Sequence, residues 1–222
     1  MMLQAVAFDL DGVLIDSERV WNAVREQVVR GRGGSWRADA TAAMMGMSSP
    51  EWSRYMHERL GVQMSATAIA AEVLARMEDR YRAGPPLIDG AREAVLALAP
   101  RWPLAVASSA NASLIELVLE QAGLRASFAA VVSAEEVPKG KPAPDVYLEA
   151  ARRLGVEPSR CAAVEDSSNG LRAAAAANTL VVAVPNRDYP PEPGALRLAD
   201  VVIASLSELH PQLLEDAARR RG

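Results

Sequence analysis

Two aspartates two residues apart, Asp9 and Asp11, follow the apolar run Ala5-Val6-Ala7-Phe8 and precede Gly12-Val13 and then Asp16-Ser17-Glu18. Successive side chains alternate along a strand, so Asp9 and Asp11 would point to the same side. Like charges that close raise each other's pKa unless a cation separates them. The pair therefore asks for a metal, a shared proton, or both. Other chemistry-bearing residues end apolar runs in the same way. Leu104-Ala105-Val106-Ala107 leads into Ser108-Ser109, and Ala162-Ala163-Val164 into Glu165-Asp166-Ser167-Ser168-Asn169-Gly170. The basic loop Lys139-Gly140-Lys141-Pro142 follows Ala129–Ser133.

These runs have to be positioned by a sheet. Ala5–Leu10, Leu104–Ser108, Ala129–Ser133, Cys161–Glu165 and Leu180–Val184 are short, valine-rich and without clear alternation, the pattern of buried strands, with Val201–Ile203 as an edge strand. Helical periods separate them at Ala91–Ala99, Leu114–Gln121, Pro144–Leu154 and Leu171–Ala177, with Gly123 and Gly155 as C-caps. Strand–helix repetition predicts an α/β fold, a Rossmann-like doubly wound parallel sheet with helices on both faces. Ligands of such sheets bind beyond the carboxyl ends of the strands. Asp9, Asp11, Glu165, Asp166, Ser108 and Lys141 should therefore converge on one edge.

The interval from Ser17 to Tyr81 breaks the rhythm. It holds helical stretches at Ser17–Arg30, Ala38–Met45, Pro50–Leu60 and Ala66–Tyr81 and ends at the breaker cluster Gly84-Pro85-Pro86. The expected organisation is a core of residues 1–15 and 86–222 with an inserted helical domain, residues 16–85. Pro185–Gly194 reads simply as a proline-rich loop.

In this order the signatures Asp9-Leu10-Asp11-Gly12-Val13, the strand ending in Ser108, Lys141-Pro142-Ala143-Pro144-Asp145 and Glu165-Asp166-Ser167-Ser168-Asn169-Gly170 closely resemble the haloacid dehalogenase-like superfamily of phosphotransferases. The resemblance covers the whole chain. The helical insert lies where members with a small helical cap carry theirs, which points to the β-phosphoglucomutase-like branch and its phosphatase relatives. The resemblance implies Asp9 as nucleophile, forming an aspartyl-phosphate, and Asp11 as the acid that protonates the leaving alcohol and then activates water. It implies Ser108, with Ser109 beside it, and Lys141 as holders of the phosphoryl oxygens. It implies Mg²⁺ on Asp9, the backbone carbonyl of Asp11, and Asp166, with Glu165 close behind. The ion would let the acids sit together.

Each signature also has a plainer reading. Asp-Gly is a common turn, Glu165-Asp166-Ser167 and Ser108 suit helix caps, and Lys141 suits a solvated surface, as Lys139 does. Four signatures in order outweigh these. In the cap, Trp21, Trp36, Trp52 and the Met44-Met45-Gly46-Met47 run read first as packing. Trp21 and Met47 are the pocket candidates among them. Arg19, Arg54, Arg80 and Arg82 are possible substrate contacts, of which Arg54 is taken forward.

The β-phosphoglucomutases carry a cap histidine where this chain has Trp21, and a basic residue soon after a Gly-x-Ser that is here Gly46-Met47-Ser48-Ser49-Pro50. A mutase also needs a second cationic phosphate site, and no convincing one is visible. The departures favour hydrolysis. Dehalogenases lack the aspartate at position 11, and phosphonate hydrolysis needs a cap lysine, yet Lys139 and Lys141 are the only lysines. A non-catalytic binding protein predicts a broken signature, and none is broken.

Composition sets the outer bounds. The 222 residues, 50% hydrophobic, can fill a sizeable core. With 24 basic against 28 acidic residues there is no basic field, so nucleic acid is not an expected partner. No signal peptide or membrane span is visible. The single cysteine, Cys161, lies in an apolar run and excludes a disulfide framework, which fits a reducing cytoplasm. The expected partner is a small phosphorylated metabolite. A monomer is the expectation for oligomeric state.

Overall fold

The computed structural model describes residues 2–44 and 47–221, so Met45 and Gly46 of the methionine run lie outside the described residues. The chain runs β1 (Ala5–Phe8), α1 (Glu18–Gly31), α2 (Ala40–Met44), α3 (Ser49–Glu58), α4 (Ala66–Arg82), α5 (Ala91–Leu98), β2 (Leu104–Ser108) and α6 (Ala112–Gln121). It continues through β3 (Phe128–Ser133), α7 (Asp145–Leu154), β4 (Cys161–Glu165), α8 (Ser168–Ala176), β5 (Leu180–Ala183), α9 (Pro193–Leu196), β6 (Val201–Val202) and α10 (Pro211–Arg221). The six strands form one sheet in the order β3-β2-β1-β4-β5-β6, and every pairing is parallel. The fold is the expected Rossmann-like α/β sheet, with β6 at its edge.

Residue size alternates along the strands even though polarity does not. Val6, Phe8, Val106 and Val164 face one cluster, which runs on through α5, α6, α10 and the helices of the insert. Ala5, Ala7, Ala105, Ala107 and Ala163 face the other, where they pack with Val146, Tyr147 and Ala150 of α7 and with Leu171, Ala173 and Ala174 of α8. Small side chains on that face let α7 lie close, and Tyr147 thereby reaches the strand ends.

The four helices α1–α4 lie between β1 and β2 in sequence and pack on one another, and α4 also meets α6. Their register follows the apolar positions: Trp21, Val24, Val28 and Val29 are the inward side of α1, and Trp52 and Met56 that of α3. Ser48 and Glu51 close a capping box at the start of α3. No described helix is long and apolar enough to cross a membrane.

Three expectations change. β1 stops at Phe8, two residues earlier than the pattern suggested, so Asp9 and Asp11 leave the strand and are placed by a loop. That loop folds back through hydrogen bonds from Leu14 and Ile15 N–H to the Leu10 carbonyl and from Gly12 N–H to the Ile15 carbonyl. The Pro185–Gly194 segment is more than a connector, because it approaches the strand ends and α9 begins within it. Finally, α10 was not anticipated. Its buried side is only Leu214, Ala217 and Ala218, too sparse a stripe to stand out.

Candidate active site

A cavity of about 340 Å³ opens between the carboxyl ends of the strands and the insert. On the core side it is lined by Asp9, Asp11, Ser109, Ala110, Lys141 and Asp166, and by Ser167, Ser168, Asn169 and Arg172 at the start of α8. On the insert side stand Glu18, Trp21, Arg25, Met44, Met47, Ser49 and Trp52. Asn186, Tyr189, Pro190, Pro191 and Glu192 of the proline-rich loop form a third wall.

Glu165 organises the floor. It is fully buried, yet five donors converge on it. Lys141 Nζ lies 2.6 Å and the Tyr147 hydroxyl 2.7 Å from Oε1. The Asp166 N–H, Ser167 N–H and Ser167 Oγ donate to Oε2. A Cβ on Gly170 would fall 1.9 Å from this carboxylate, so glycine there is a condition of its placement. Of the acids that could have served merely as helix caps, neither does; Ser167 caps α8 by accepting from Gly170 N–H.

Lys141 bridges Glu165 and Asp9, with its ammonium 2.9 Å from Asp9 Oδ1 and its side chain only 4% exposed. The surface reading of this lysine is therefore excluded, while Lys139 is exposed. Burial pushes the Asp9 carboxyl up to about 7 against the opposing pull of Lys141, and Glu165 and Asp11 add to the rise. Asp166 is pushed well up by burial and by the negative charge of Glu165 and Asp9. The carboxylates raise the Lys141 ammonium and keep it charged, outweighing its burial.

Asp9, Glu165 and Asp166 each bring a carboxylate oxygen within 4.8 Å of the others. Glu165 is saturated by its donors, but Asp166 Oδ1 is buried without a partner among the described residues. A Cβ on Gly12 would fall 2.0 Å from Asp166 Oδ2, and Gly12 has a φ of +82°, a conformation that favours glycine. Three buried acids face one lysine, so the set holds more carboxylates than cations and has an open hard-oxygen donor. That set fits a divalent cation.

Asp11 faces the insert. Its Oδ1 accepts a 3.1 Å hydrogen bond from the Trp21 indole N–H and a second from the Ser17 hydroxyl, and neither bond uses Oδ2. Ser108 is fully buried at the end of β2, where its hydroxyl accepts from Ala110 N–H, so Ser109 and Ala110 face the cavity in its place. Trp21, Trp52 and Met44 belong to the apolar core and also line the cavity, so packing and pocket are not alternatives here. Met47 lines it as well. Arg54 does not: it lies two positions from Trp52 on α3, about 200° around the helix, and is exposed. Arg19 is exposed and pairs with Asp188 of the proline-rich loop at 2.7 Å. Cys161 is buried, and its thiol is pushed up to about 12 by burial, which leaves it inert.

Arg25 is a cavity residue that the sequence does not single out. It is buried, with its guanidinium carbon 4.7 Å from the Trp21 ring centroid and 5.2 Å from that of Trp52. The readable signal was a charge on the apolar stripe of α1, four residues after Trp21. Burial lowers it to about 10, so it stays a cation at neutral pH. Arg25 thus adds a buried cation to the insert side of the cavity, where the sequence shows no convincing second cationic phosphate site. The wall formed by Asn186 and Tyr189 had no comparable signal, since it depends on how a distant loop folds back.

A family model described as haloacid dehalogenase-like hydrolase matches residues 3–178. Hexitol phosphatase B of Escherichia coli (strain K12) is 37% identical over 92% of this chain and 93% of its own. A Drosophila melanogaster protein named a probable pseudouridine-5'-phosphatase is 34% identical over 92% of this chain and 90% of its own. The crystal structure of β-phosphoglucomutase from Clostridium difficile superposes with a TM-score of 0.84 over 99% of both chains at 22% identity, a likeness of fold.

Proposed function

The chain belongs to the haloacid dehalogenase-like hydrolases and is a phosphoric monoester hydrolase; we propose that it is a Mg²⁺-dependent phosphatase of a small sugar- or polyol-phosphate that acts through phosphorylation of Asp9. The observation that carries this is the Asp9 carboxylate, buried beside Lys141 and the unpartnered Asp166 oxygen at the sheet edge. Asp9 and Asp166 would hold the ion with the Asp11 carbonyl. Bound there, it would supply positive charge against the phosphoryl oxygens and keep the carboxylates ionised.

Asp9 attacks phosphorus, the bond to the leaving oxygen breaks, and Asp11 gives that oxygen its proton. Asp11 Oδ1 is anchored by Ser17 and Trp21, which leaves Oδ2 for the proton. Water then attacks the phosphoaspartate, Asp11 takes the water's proton, and the Asp9–phosphorus bond breaks. Lys141 and Ser109 hold the phosphoryl oxygens, with the buried Ser108 hydroxyl fixing that turn by accepting from Ala110 N–H. Glu165 positions Lys141 and the Asp166–Ser167 backbone and takes no proton. Residues 16–85 act as the cap that covers the site and selects the leaving group. The expected setting is the cytoplasm, as a monomer.

The mutase alternative gains one observation, the Arg25 cation in the cap. Against it, Trp21 stands in contact with Asp11 where those enzymes use histidine, and an indole N–H donates but never accepts. Phosphate release from a panel of phosphorylated metabolites, with and without Mg²⁺ and beside Asp9→Asn, tests the proposal. Metal-dependent release lost in the variant supports it. Conversion of β-glucose 1-phosphate to glucose 6-phosphate with little release supports the mutase, and silence leaves a narrow substrate outside the panel or a binding protein.

A further inference from the structure

Arg25 lines the cavity but has no part in the chemistry above. It is 5% exposed, and among the described residues it makes no hydrogen bond or ion pair; its Nε is buried without a partner. The indoles of Trp21 and Trp52 hold it by their faces, and such stacking recovers less than burial of an ion costs. The guanidinium therefore still needs an acceptor, and the cavity is where one arrives. Glu18 lies two turns earlier on α1, also lines the cavity, and has a buried Oε2 without a partner. A carboxylate needs the opposite, a donor.

Given the phosphatase reading, on which this rests, we infer that Arg25 and Glu18 together select an uncharged, polyhydroxylated leaving group, as in a polyol monophosphate. A hydroxyl both donates and accepts, so such a group satisfies both residues at once. A second phosphate only accepts; it would suit Arg25 and be repelled by Glu18 and Asp11. An apolar group would leave both unsatisfied. Length matters as well. Trp21 touches Asp11, and Arg25 lies one turn further along α1, about 6 Å, so a short leaving group stops before it.

The test is steady-state kinetics of the wild type, Arg25→Met, Arg25→Lys and Glu18→Gln with Mg²⁺ on a hexitol monophosphate, glycerol phosphate and a hexose bisphosphate. The wild type should prefer the hexitol monophosphate to both others. In Arg25→Met the ratio of kcat/KM for the hexitol ester to that for glycerol phosphate should fall by about 10-fold or more, mainly through KM, with partial recovery in Arg25→Lys. Glu18→Gln should raise relative activity on the bisphosphate. An unchanged ratio in Arg25→Met, a parallel loss on both monoesters, or a wild-type preference for the bisphosphate overturns the inference while leaving the phosphatase intact. No phosphate from any of the three, with release from other monoesters, overturns the inference alone; no release from any monoester of the wider panel overturns both.

Discussion

The indole Nε1 of Trp21 donates to Oδ1 of Asp11 across 3.1 Å and so ties the first helix of the cap to the loop that carries the proposed general acid. The ring also stacks on Arg25 and lies 6.1 Å from Trp52, so one side chain links acid, cation and cap core. Trp21→Phe keeps the stacking but removes the N–H. Turnover should fall up to about 10-fold, the upper worth of one ordinary hydrogen bond, roughly 1.5 kcal/mol. The loss should sit in kcat, and measurement of both constants would show it. A rise in KM alone would assign Trp21 to substrate contact.

Removing charge from Glu165 should cost stability before it costs chemistry. Glu165→Gln keeps the shape, but an amide has one acceptor end while five donors converge on this carboxylate. One set of donors would face an NH₂ group, and Lys141 would lose a partner. Breaking a buried pair in this way costs about 3–5 kcal/mol. Denaturant unfolding should register it. A change below about 1 kcal/mol, the worth of an exposed pair, would show that Lys141 does not depend on Glu165.

Proton and metal should compete for the same acids. The Asp9 carboxyl rises from an ordinary 3.8 to about 7, and Asp166 rises too. Between those values the folded metal-free protein holds more protons than the unfolded chain, so its stability falls as pH increases through this window. A divalent cation displaces those protons, so its stabilisation should grow over the same window. At 100 times Kd it contributes about 2.7 kcal/mol, a rise in Tm of about 5–10 °C for a chain of this size. Melting with and without Mg²⁺ at about pH 5 and about pH 8 checks the direction. An equal or larger shift at the lower pH would contradict it.

The close approach of Gly12 to Asp166 should be readable as metal affinity. Gly12→Ala sets a Cβ 2.0 Å from Asp166 Oδ2 and strains a positive φ, so the carboxylate must move. Displacing one ligand or its support weakens binding about 10–100-fold. Titration calorimetry with Mg²⁺ would measure it, and an unchanged Kd would remove Asp166 from the site.

What could be read in advance followed the kind of signal each residue sends. The strands and the order of polar residues at their ends are legible because apolar runs of four or five residues, broken at polar ones, have few other uses. The end of β1 is not, since Phe8, Leu10 and Val13 are all apolar and only the return of Ile15 onto Leu10 shows that the strand has stopped. Arg25 is not legible because a lone arginine in a helix reads as surface, and its burial follows from how Trp21 and Trp52 meet. The loop carrying Asn186 and Tyr189 is not legible as a wall, because its prolines predict local conformation but not where a loop will fold back.

The central claim is that Asp9 carries the phosphoryl group. During turnover with radiolabelled substrate and Mg²⁺, rapidly acid-quenched enzyme should hold hydroxylamine-labile label on the peptide containing Asp9, and Asp9→Asn should hold none. Label on another residue, or fast phosphate release by Asp9→Asn, would contradict the account.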